Sequence, residues 1–352
     1  MVRKEGGGME TRDRESGKTE TWDREAGNDP AGKKETKAAG LPRPDRVKPK
    51  VSICIPCYNN ADEVQRLLSS IEEQTFQDFE VILTDDSTNE EIAGLACKCT
   101  IPRLRYVHNP RPLGHIFNWN RALELAEGDY IKIMFSDDWF TSCDSLEKMA
   151  ALLDQNPEAS LAFCGTMQVS ESRSYARAPE QWYLDRLQDD YRHLFLGNEI
   201  GAPSATLYRA CGAYFDEKSN WASDMFLYFT ILEKNPRFAF TPEPLISIGI
   251  HEEQYTGMFS EKDIRKYNDS LLMYRKYSLR ENELCRREML RLTVMFGQGW
   301  RTASSCGASC REYVSQRLRW FWQNTVMGYW NGAMYRIRRL CSRAEGANDA
   351  HG

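Results

Sequence analysis

Residues 130–135 form a short, mostly apolar run that ends abruptly in Ser136, Asp137 and Asp138. An apolar run of this length is typical of a strand in a parallel sheet, where helices cover both faces. Ligands of open α/β sheets bind beyond the carboxyl ends of the strands, where the two carboxylates would lie. Hard oxygen ligands at that place suit Mg²⁺ or Mn²⁺ carrying a diphosphate. A plain turn is the alternative, because Ser and Asp favour turns through local hydrogen bonds.

Strand-like and helix-like segments alternate along the chain from residue 51 onwards. Apolar runs predict the strands, and apolar residues spaced three and four apart predict the helices. The alternation predicts an α/β fold with a mostly parallel sheet and helices on both faces of that sheet. Further helices are predicted towards the C-terminus of the chain. The predicted strands are 51–56, 79–83, 104–107, 130–135, 160–165 and 245–250, with a loop entering a strand over 201–208. The predicted helices start with one capped at Asn60 and continue with 115–127, 144–154, 221–234, 261–296 and 309–341, while 166–181 is predicted to be an irregular, mobile loop.

Three regions follow from these patterns. Residues 1–50 are crowded with charged residues, Gly and Pro, and such a segment cannot bury enough apolar surface to offset its chain entropy. We therefore expect it to be disordered. Residues 51–258 carry the strand–helix alternation and are expected to form one α/β domain, with a helical extension over 259–345.

Charge, hydropathy and cysteine usage exclude several classes of protein. A net charge of -5 argues against a general binder of nucleic acid. No run of about 18 apolar residues occurs, so we expect no membrane-spanning helix, and the polar N-terminus lacks the apolar core of a signal peptide. The eleven cysteines are scattered through predicted core segments, a pattern that fits reduced thiols in the cytoplasm better than a disulfide framework.

A second pair of acids, Asp85 and Asp86, follows the predicted strand 79–83, so two strands present paired carboxylates at one edge of the sheet. With the neighbouring segments, these pairs resemble the motifs of family 2 glycosyltransferases. The motifs occur in the order of that family across roughly residues 51 to 250. They are Val-Ser-Ile-Cys-Ile-Pro-Cys-Tyr-Asn (51–59), Gln-Thr-Phe-Gln-Asp-Phe-Glu-Val-Ile-Leu-Thr-Asp-Asp-Ser (74–87), Asn-Pro-Arg-Pro-Leu-Gly (109–114), Ala-Glu-Gly-Asp-Tyr-Ile (126–131) and Ser-Asp-Asp-Trp-Phe (136–140).

The resemblance implies a GT-A fold, a nucleotide-diphosphate sugar donor (a UDP-sugar by family expectation), a divalent metal (Mn²⁺ or Mg²⁺) and inversion at the anomeric carbon. By position in the motifs, Asp86 resembles the acid that binds uracil, Asp137 the acid on the ribose side, and Asp138 the metal ligand. Phe135 stands where the family often has a further Asp, which bears on the affinity for metal. The resemblance also implies that Pro56, Tyr58 and Asn59 surround and bind the base and ribose of the nucleotide.

An inverting transfer needs a carboxylate that takes the proton of the acceptor hydroxyl. Asp224 resembles the family's base at the start of a helix, and residues 201–205 resemble its acceptor loop. The alternative for Asp224 is an acid favoured by the helix macrodipole. His251 follows the last predicted strand, where many relatives carry a His near the metal or diphosphate, although a lone His is often structural.

Residues 311–343 contain seven Arg and one Glu, interleaved with Trp and Tyr. Such a segment could lie on an anionic membrane surface, where lipid-linked acceptors are found, or it could pack on the catalytic domain or a second subunit. We predict a cytoplasmic, metal-dependent glycosyltransferase of cell-surface glycan or polysaccharide synthesis, acting on a glycan or lipid-linked acceptor. A catalytically inactive nucleotide-sugar-binding scaffold is the alternative, and a nucleotidyltransferase is disfavoured because no Gly-rich, Arg-containing loop follows the first strand.

Overall fold

The computed structural model describes residues 48–251 and 259–326, and the statements below refer to them. The first half of the sheet consists of four parallel strands in the order β3-β2-β1-β4. Every residue of β1, β2 and β4 is buried, because helices cover both faces of this part of the sheet. These strands are β1 (Val51–Cys57), β2 (Phe79–Asp85), β3 (Leu104–His108) and β4 (Tyr130–Ile133).

The second half of the sheet is mixed and continues in the order β4-β8-β6-β9-β5. Strands β6 and β9 are parallel, whereas β4 with β8, β6 with β8 and β5 with β9 are antiparallel. A further strand, β7, pairs antiparallel with β6 outside this order. The strands are β5 (Asp138–Phe140), β6 (Leu161–Val169), β7 (Ser174–Arg177), β8 (Thr206–Arg209) and β9 (Phe238–Gly249).

Helices lie on both faces of the sheet and bury two separate apolar clusters. One cluster contains residues of α1, α2 and α4, and the other contains residues of α3, α5, α6, α7 and α8. The predicted α/β class is therefore confirmed. The helices are α1 (Ala61–Glu72), α2 (Glu91–Lys98), α3 (His115–Glu124), α4 (Ser145–Gln155), α5 (Gln181–Asp189), α6 (Ser223–Lys234), α7 (Ile264–Lys276), α8 (Glu283–Met295), α9 (Trp300–Ser305) and α10 (Cys310–Phe321).

Several predicted elements differ from the structure. The segment 166–181 is not an irregular loop, because β6 extends to Val169 and forms a hairpin with β7. The strand predicted over 130–135 ends at Ile133, and Asp138 begins a strand of its own. The helix predicted over 261–296 is two helices, separated by Ser278, which adopts a left-handed conformation at φ +51°.

Parts of three predicted regions lie outside the described residues. They are most of the N-terminal segment 1–50, residues 252–258 at the end of the predicted α/β domain, and residues 327–341 of the last predicted helix. Across the part of the chain that is described, no helix has the length and apolar character needed to cross a membrane. The ten cysteines in that part are all free thiols.

Candidate active site

Three neighbouring parallel strands, β1, β2 and β4, end at the same edge of the sheet. Hydrogen bonds join the segments that follow them. The backbone N–H of Asp86 donates to Cys57 O at 3.0 Å, and Asn60 Nδ2 bonds to Ser136 Oγ. The sequence motifs at these strand ends therefore form one continuous surface, as the parallel arrangement predicts.

The turn after β1 carries two of the three residues predicted to cradle the nucleotide. Tyr58 is 58% exposed and Asn59 is exposed beside it, whereas Pro56 is buried inside β1 and can act only through the turn it shapes. Asn59 adopts the left-handed region at φ +51°, which Asn tolerates better than most residues. Its backbone N–H donates to Ser87 Oγ at 2.8 Å, and its Oδ1 accepts from Thr88 N at 3.1 Å.

Asp86, predicted to bind uracil, already accepts hydrogen bonds from three N–H groups of the protein, one of which both of its oxygens share. Its Oδ1 accepts from Asn109 Nδ2 at 2.7 Å and from Leu113 N at 3.0 Å, and its Oδ2 accepts from Leu113 N at 2.9 Å and from Gly114 N at 2.8 Å. A carboxylate has about four lone-pair sites, so little capacity remains for a base. Asp86 thus holds the loop before α3 against β2, and Asp85 beside it is fully buried.

Asp137 and His251 meet beyond the end of β4. The His251 Nε2 lies 3.3 Å from Asp137 Oδ2, and the two side chains are 44% and 28% exposed, respectively. Strand β9 brings His251 to this place because it ends at Gly249, where a Cβ atom would lie only 2.6 Å from Asp137 O. Arg66 Nη2 donates to the same carbonyl at 3.0 Å. Glycine at position 249 therefore allows the close approach that joins the acid to the histidine.

Asp138, the predicted metal ligand, faces the interior and is only 3% exposed. Its side chain bonds with Ser204 and with the backbone of Gly249. Burial, followed by the neighbouring charge of Asp137, holds the pKa of Asp138 well above its ordinary value of 3.8. The acid that reaches solvent beside His251 is Asp137, whereas Asp138 is buried. The roles predicted for the two acids, on the ribose side for Asp137 and as metal ligand for Asp138, stay predictions.

The Asp137–His251 pair fits a divalent metal that shares its coordination with a diphosphate. Mg²⁺ and Mn²⁺ accept carboxylate oxygens, and Mn²⁺ also accepts imidazole nitrogen. Such metals are often held by one or two protein side chains while substrate phosphates supply further oxygens. No group of three or more His, Cys, Asp or Glu suited to a metal occurs among the described residues. A metal here would thus depend on the donor for its coordination.

Asp224 lies in the first turn of α6, as the sequence predicted for the base. Its Oδ1 accepts from Met225 N at 2.7 Å, and its Oδ2 accepts from Asn198 Nδ2 at 2.6 Å. Both bonds favour the ionised form, yet burial outweighs them and raises the pKa of Asp224 from 3.8 to about 6. A carboxylate with a pKa near neutrality is suited to general base catalysis.

The loop before β8 connects the neighbourhood of Asp224 to the Asp137–Asp138 turn. Asn198, which donates to Asp224, also donates to Gly201 O at 3.2 Å. Farther along this loop, Ser204 Oγ accepts from Phe135 N at 3.0 Å, and the Ser204 side chain bonds with Asp138. The candidate base and the candidate metal site therefore lie at the two ends of one hydrogen-bonded segment.

Lys132 in β4 fixes the same loop from inside the protein. Its fully buried Nζ donates to the carbonyls of Ser204 and Thr206, the latter at 3.2 Å. Burial lowers the pKa of Lys132 to about 8. Ser204 belongs to the segment 201–205 that was predicted to be the acceptor loop, whereas Lys132 and Asn198 were not predicted, because contacts between distant residues leave no local pattern. A lone Lys within an apolar strand was the only available signal.

The sheet has the mixed α/β arrangement of a GT-A fold, with carboxylates beyond the ends of its parallel strands. Residues 52–212 match the family model of glycosyl transferase family 2. This part of the chain is therefore similar to family 2 glycosyltransferases. A curated relative from Haemophilus influenzae, named as an uncharacterized glycosyltransferase, is 27% identical over 153 residues, which cover 43% of this chain and 50% of the relative. The chain spans 28% to 50% of the length of the first curated relatives it matches.

Two solved structures share the fold. S. aureus TarS in complex with UDP-GlcNAc has a TM-score of 0.56 and 18% identity, over 76% of this chain and 79% of that one. The mannosyltransferase PcManGT from Pyrobaculum calidifontis, in complex with GDP-Man and Mn²⁺, has a TM-score of 0.50 and 17% identity, over 76% and 78% of the two chains. At this identity the likeness establishes the GT-A fold, which confirms the predicted fold class.

Proposed function

We propose that this protein is a glycosyltransferase that moves a sugar from a nucleoside-diphosphate donor to an acceptor hydroxyl, with inversion at the anomeric carbon. The observation that carries the proposal is the place of Asp224 in the first turn of α6, where Asn198 Nδ2 and Met225 N donate to its carboxylate. Burial raises the pKa of Asp224 to about 6, which suits a group that takes a proton near neutral pH. A single carboxylate base fits inversion, because one in-line displacement needs one group to take the acceptor proton.

The donor lies at the ends of β1, β2 and β4 in this proposal. Tyr58 offers an exposed aromatic ring for the base, and Asn59 offers polar groups beside it. We propose uridine as the nucleoside, following the motif resemblance and the UDP-GlcNAc bound to TarS. The carboxylate oxygens of Asp86 already accept hydrogen bonds from Asn109, Leu113 and Gly114. We therefore propose that the loop before α3, and not Asp86 itself, contacts the donor.

Asp137 and His251 would hold the divalent metal. The Mn²⁺ in the PcManGT structure supports this part of the proposal. When bound, the metal stabilises the negative charge that develops on the departing diphosphate, so no proton donor is needed on that side. Asp224 takes the proton of the acceptor hydroxyl as the oxygen attacks the anomeric carbon, and Asn198 keeps the carboxylate oriented for that transfer.

The test is turnover by the purified protein with Mn²⁺, using UDP-sugars and GDP-mannose as donors and NMR to follow the anomeric proton. We expect release of the nucleotide and, with an acceptor that the protein uses, a product whose anomeric configuration is the opposite of the donor's. The inactive scaffold remains the second candidate, because Phe135 replaces an acid often found in the family. Nucleotide binding without hydrolysis or transfer, with every donor and acceptor tried, would support the scaffold and contradict our proposal.

We further propose that the acceptor is a glycan or lipid-linked saccharide of a surface polysaccharide, and that the protein works at the cytoplasmic face of a membrane. Helix α10 supports the membrane contact. One face of α10 packs through Tyr313 and Trp320 on a small apolar cluster of α8 and α9. The other face exposes four large apolar side chains and is flanked by Arg311, Arg317 and Arg319. These apolar residues are Val314, Leu318, Phe321 and Trp322.

A further inference from the structure

A buried carboxylate from the helical extension lies at the entrance to the helix that carries the candidate base. Asp269, in α7, is only 1% exposed. Its oxygens accept from three consecutive backbone N–H groups: Asn220 N at 2.9 Å, Trp221 N at 2.6 Å and Ala222 N at 3.0 Å. Asn220 Nδ2 donates to Asp269 Oδ1 at 3.2 Å as well. Helix α6 begins at the next residue, Ser223, and Asp224 follows.

Helix α6 has no side-chain cap of its own at its N-terminus, because its N-cap residue is Ala222, whose side chain has no hydrogen-bond acceptor. The backbone N–H groups at and before a helix start must find acceptors when they are buried. Asp269 supplies them from a helix 47 residues away in the chain, as measured from Ala222. A negative charge at this end is also favoured by the helix macrodipole.

We propose that Asp269 is a positioning residue for Asp224, so that α7 helps to set the geometry of the candidate base. The carboxylate fixes the peptide groups of residues 220–222, and these set the direction of the first turn of α6, where Asp224 lies. Displacing a catalytic group by about 1 Å can cost roughly 100-fold in rate. The inference rests on the proposed role of Asp224 as the base, and goes beyond it by assigning a task to α7.

The chain provides a matched control on the same pair of segments. Tyr277, which follows α7, donates through its hydroxyl to Phe226 O at 2.9 Å and lies 2.9 Å from Thr230 Oγ1. Tyr277→Phe removes buried hydrogen bonds between the extension and α6, but it does so at the fourth and eighth residues of the helix and leaves the peptide groups of residues 220–222 in place. Asp269→Asn removes them at the entrance. A purely structural role predicts that both variants lower stability and that neither has a special effect on the chemical step.

The experiment measures kcat and the donor KM of the full chain for wild type, Asp269→Asn and Tyr277→Phe, with rates corrected for the folded fraction. We expect Asp269→Asn to lower kcat by 10-fold or more with a donor KM within about twofold of wild type, while Tyr277→Phe keeps kcat within about twofold. An unchanged kcat in Asp269→Asn, equal losses in both variants, or a loss that appears only in KM would overturn the proposal.

A second variant covers the case in which Asp269→Asn does not fold. Asp269→Glu keeps the charge but lengthens the side chain by one methylene, so it should fold and yet displace residues 220–222. The same loss of kcat at unchanged donor KM is expected, and wild-type kcat would overturn the proposal. Asp224→Asn separates the two hypotheses. If that variant retains turnover, the base assignment fails; if it is inactive while both Asp269 variants turn over normally, only the positioning role fails.

Discussion

Asp224 is held by two hydrogen bonds that favour its ionised form, yet its pKa remains raised to about 6 because burial has the larger effect. Such a balance has a cost for the fold. The folded pKa lies above the ordinary value of 3.8, so ionisation of Asp224 destabilises the folded protein increasingly as the pH rises from about 4 to above 6. Function and stability therefore oppose each other at this residue.

Asp224→Asn should separate the two effects. We expect turnover to fall by at least 1,000-fold while UDP binding stays within about threefold, because the amide cannot accept the proton. The free energy of unfolding should rise by about 1–3 kcal/mol at pH 7.5, and by less at pH 4.5, where Asp224 is protonated in the folded protein but still mostly ionised in the unfolded chain. Denaturant unfolding at the two pH values checks this. Equal effects at both pH values would contradict the raised pKa.

The pH dependence of kcat/KM gives an independent measure of the same group. Below about pH 6 Asp224 becomes protonated and cannot take the acceptor proton, so the rate should fall tenfold for each unit of pH on the acid side. The donor affinity over the same range serves as the control. A rate that stays constant down to pH 5 would remove Asp224 from the proton-transfer step.

Asp137 and Asp138 show where the sequence was informative and where it was not. The apolar run over 130–135 predicted the pair at the end of a buried strand, and in the structure the pair follows the buried strand β4, which ends at Ile133, with Asp138 already in β5. The motif resemblance could not tell which acid faces solvent, since that depends on Asp138 entering a strand paired with β9. For the same reason it missed that the oxygens of Asp86 are occupied by the loop before α3.

At the level of elements, local patterns predicted the segments that pack on a neighbour close in the chain. Apolar runs located β1 and β2, and helical spacing located α1 and α6. The failures have physical causes. The polar sequence of 166–181 hid a hairpin whose strand β7 is fully exposed, so no apolar pattern marked it. The periodicity over 261–296 continued through the break at Ser278, because α7 and α8 each bury a similar stripe.

The exposed face of α10 predicts binding to anionic lipid. We expect the full chain to sediment with phosphatidylglycerol vesicles and not with phosphatidylcholine vesicles, and to be released by salt, because Arg residues flank the apolar face. Replacing Leu318 and Phe321 with Ser should weaken binding by 10-fold or more. The matched control replaces two exposed aromatic residues elsewhere, Tyr175 and Trp182, with Ser.

Two results would contradict this account of α10. One is equal vesicle binding by the α10 variant and its control. The other is a wild-type dimer in light scattering that the Leu318 and Phe321 substitutions convert to a monomer, since that would make the face an interface between two copies.

In the whole molecule, the sequence predicted the sheet's parallel half better than its mixed half. Four strands separated by short connections follow the βαβ pattern, whose handedness and order are strongly constrained. Strands β5, β8 and β9 pair across long stretches of chain, and nothing local specifies their partners. The extension was predicted as helical, but its contact with the catalytic helix through Asp269 was visible only in three dimensions.

The most direct test of the proposed site is calorimetric titration of UDP, with Mn²⁺ and with EDTA, into wild type, Asp137→Asn and Asp138→Asn. We predict binding that requires Mn²⁺, weakened 10- to 100-fold by Asp137→Asn because a ligand of the metal is lost, and changed only a few-fold by Asp138→Asn, whose side chain faces the interior. UDP binding that is equally tight in EDTA, or that is lost in Asp138→Asn and retained in Asp137→Asn, would contradict the proposed metal site.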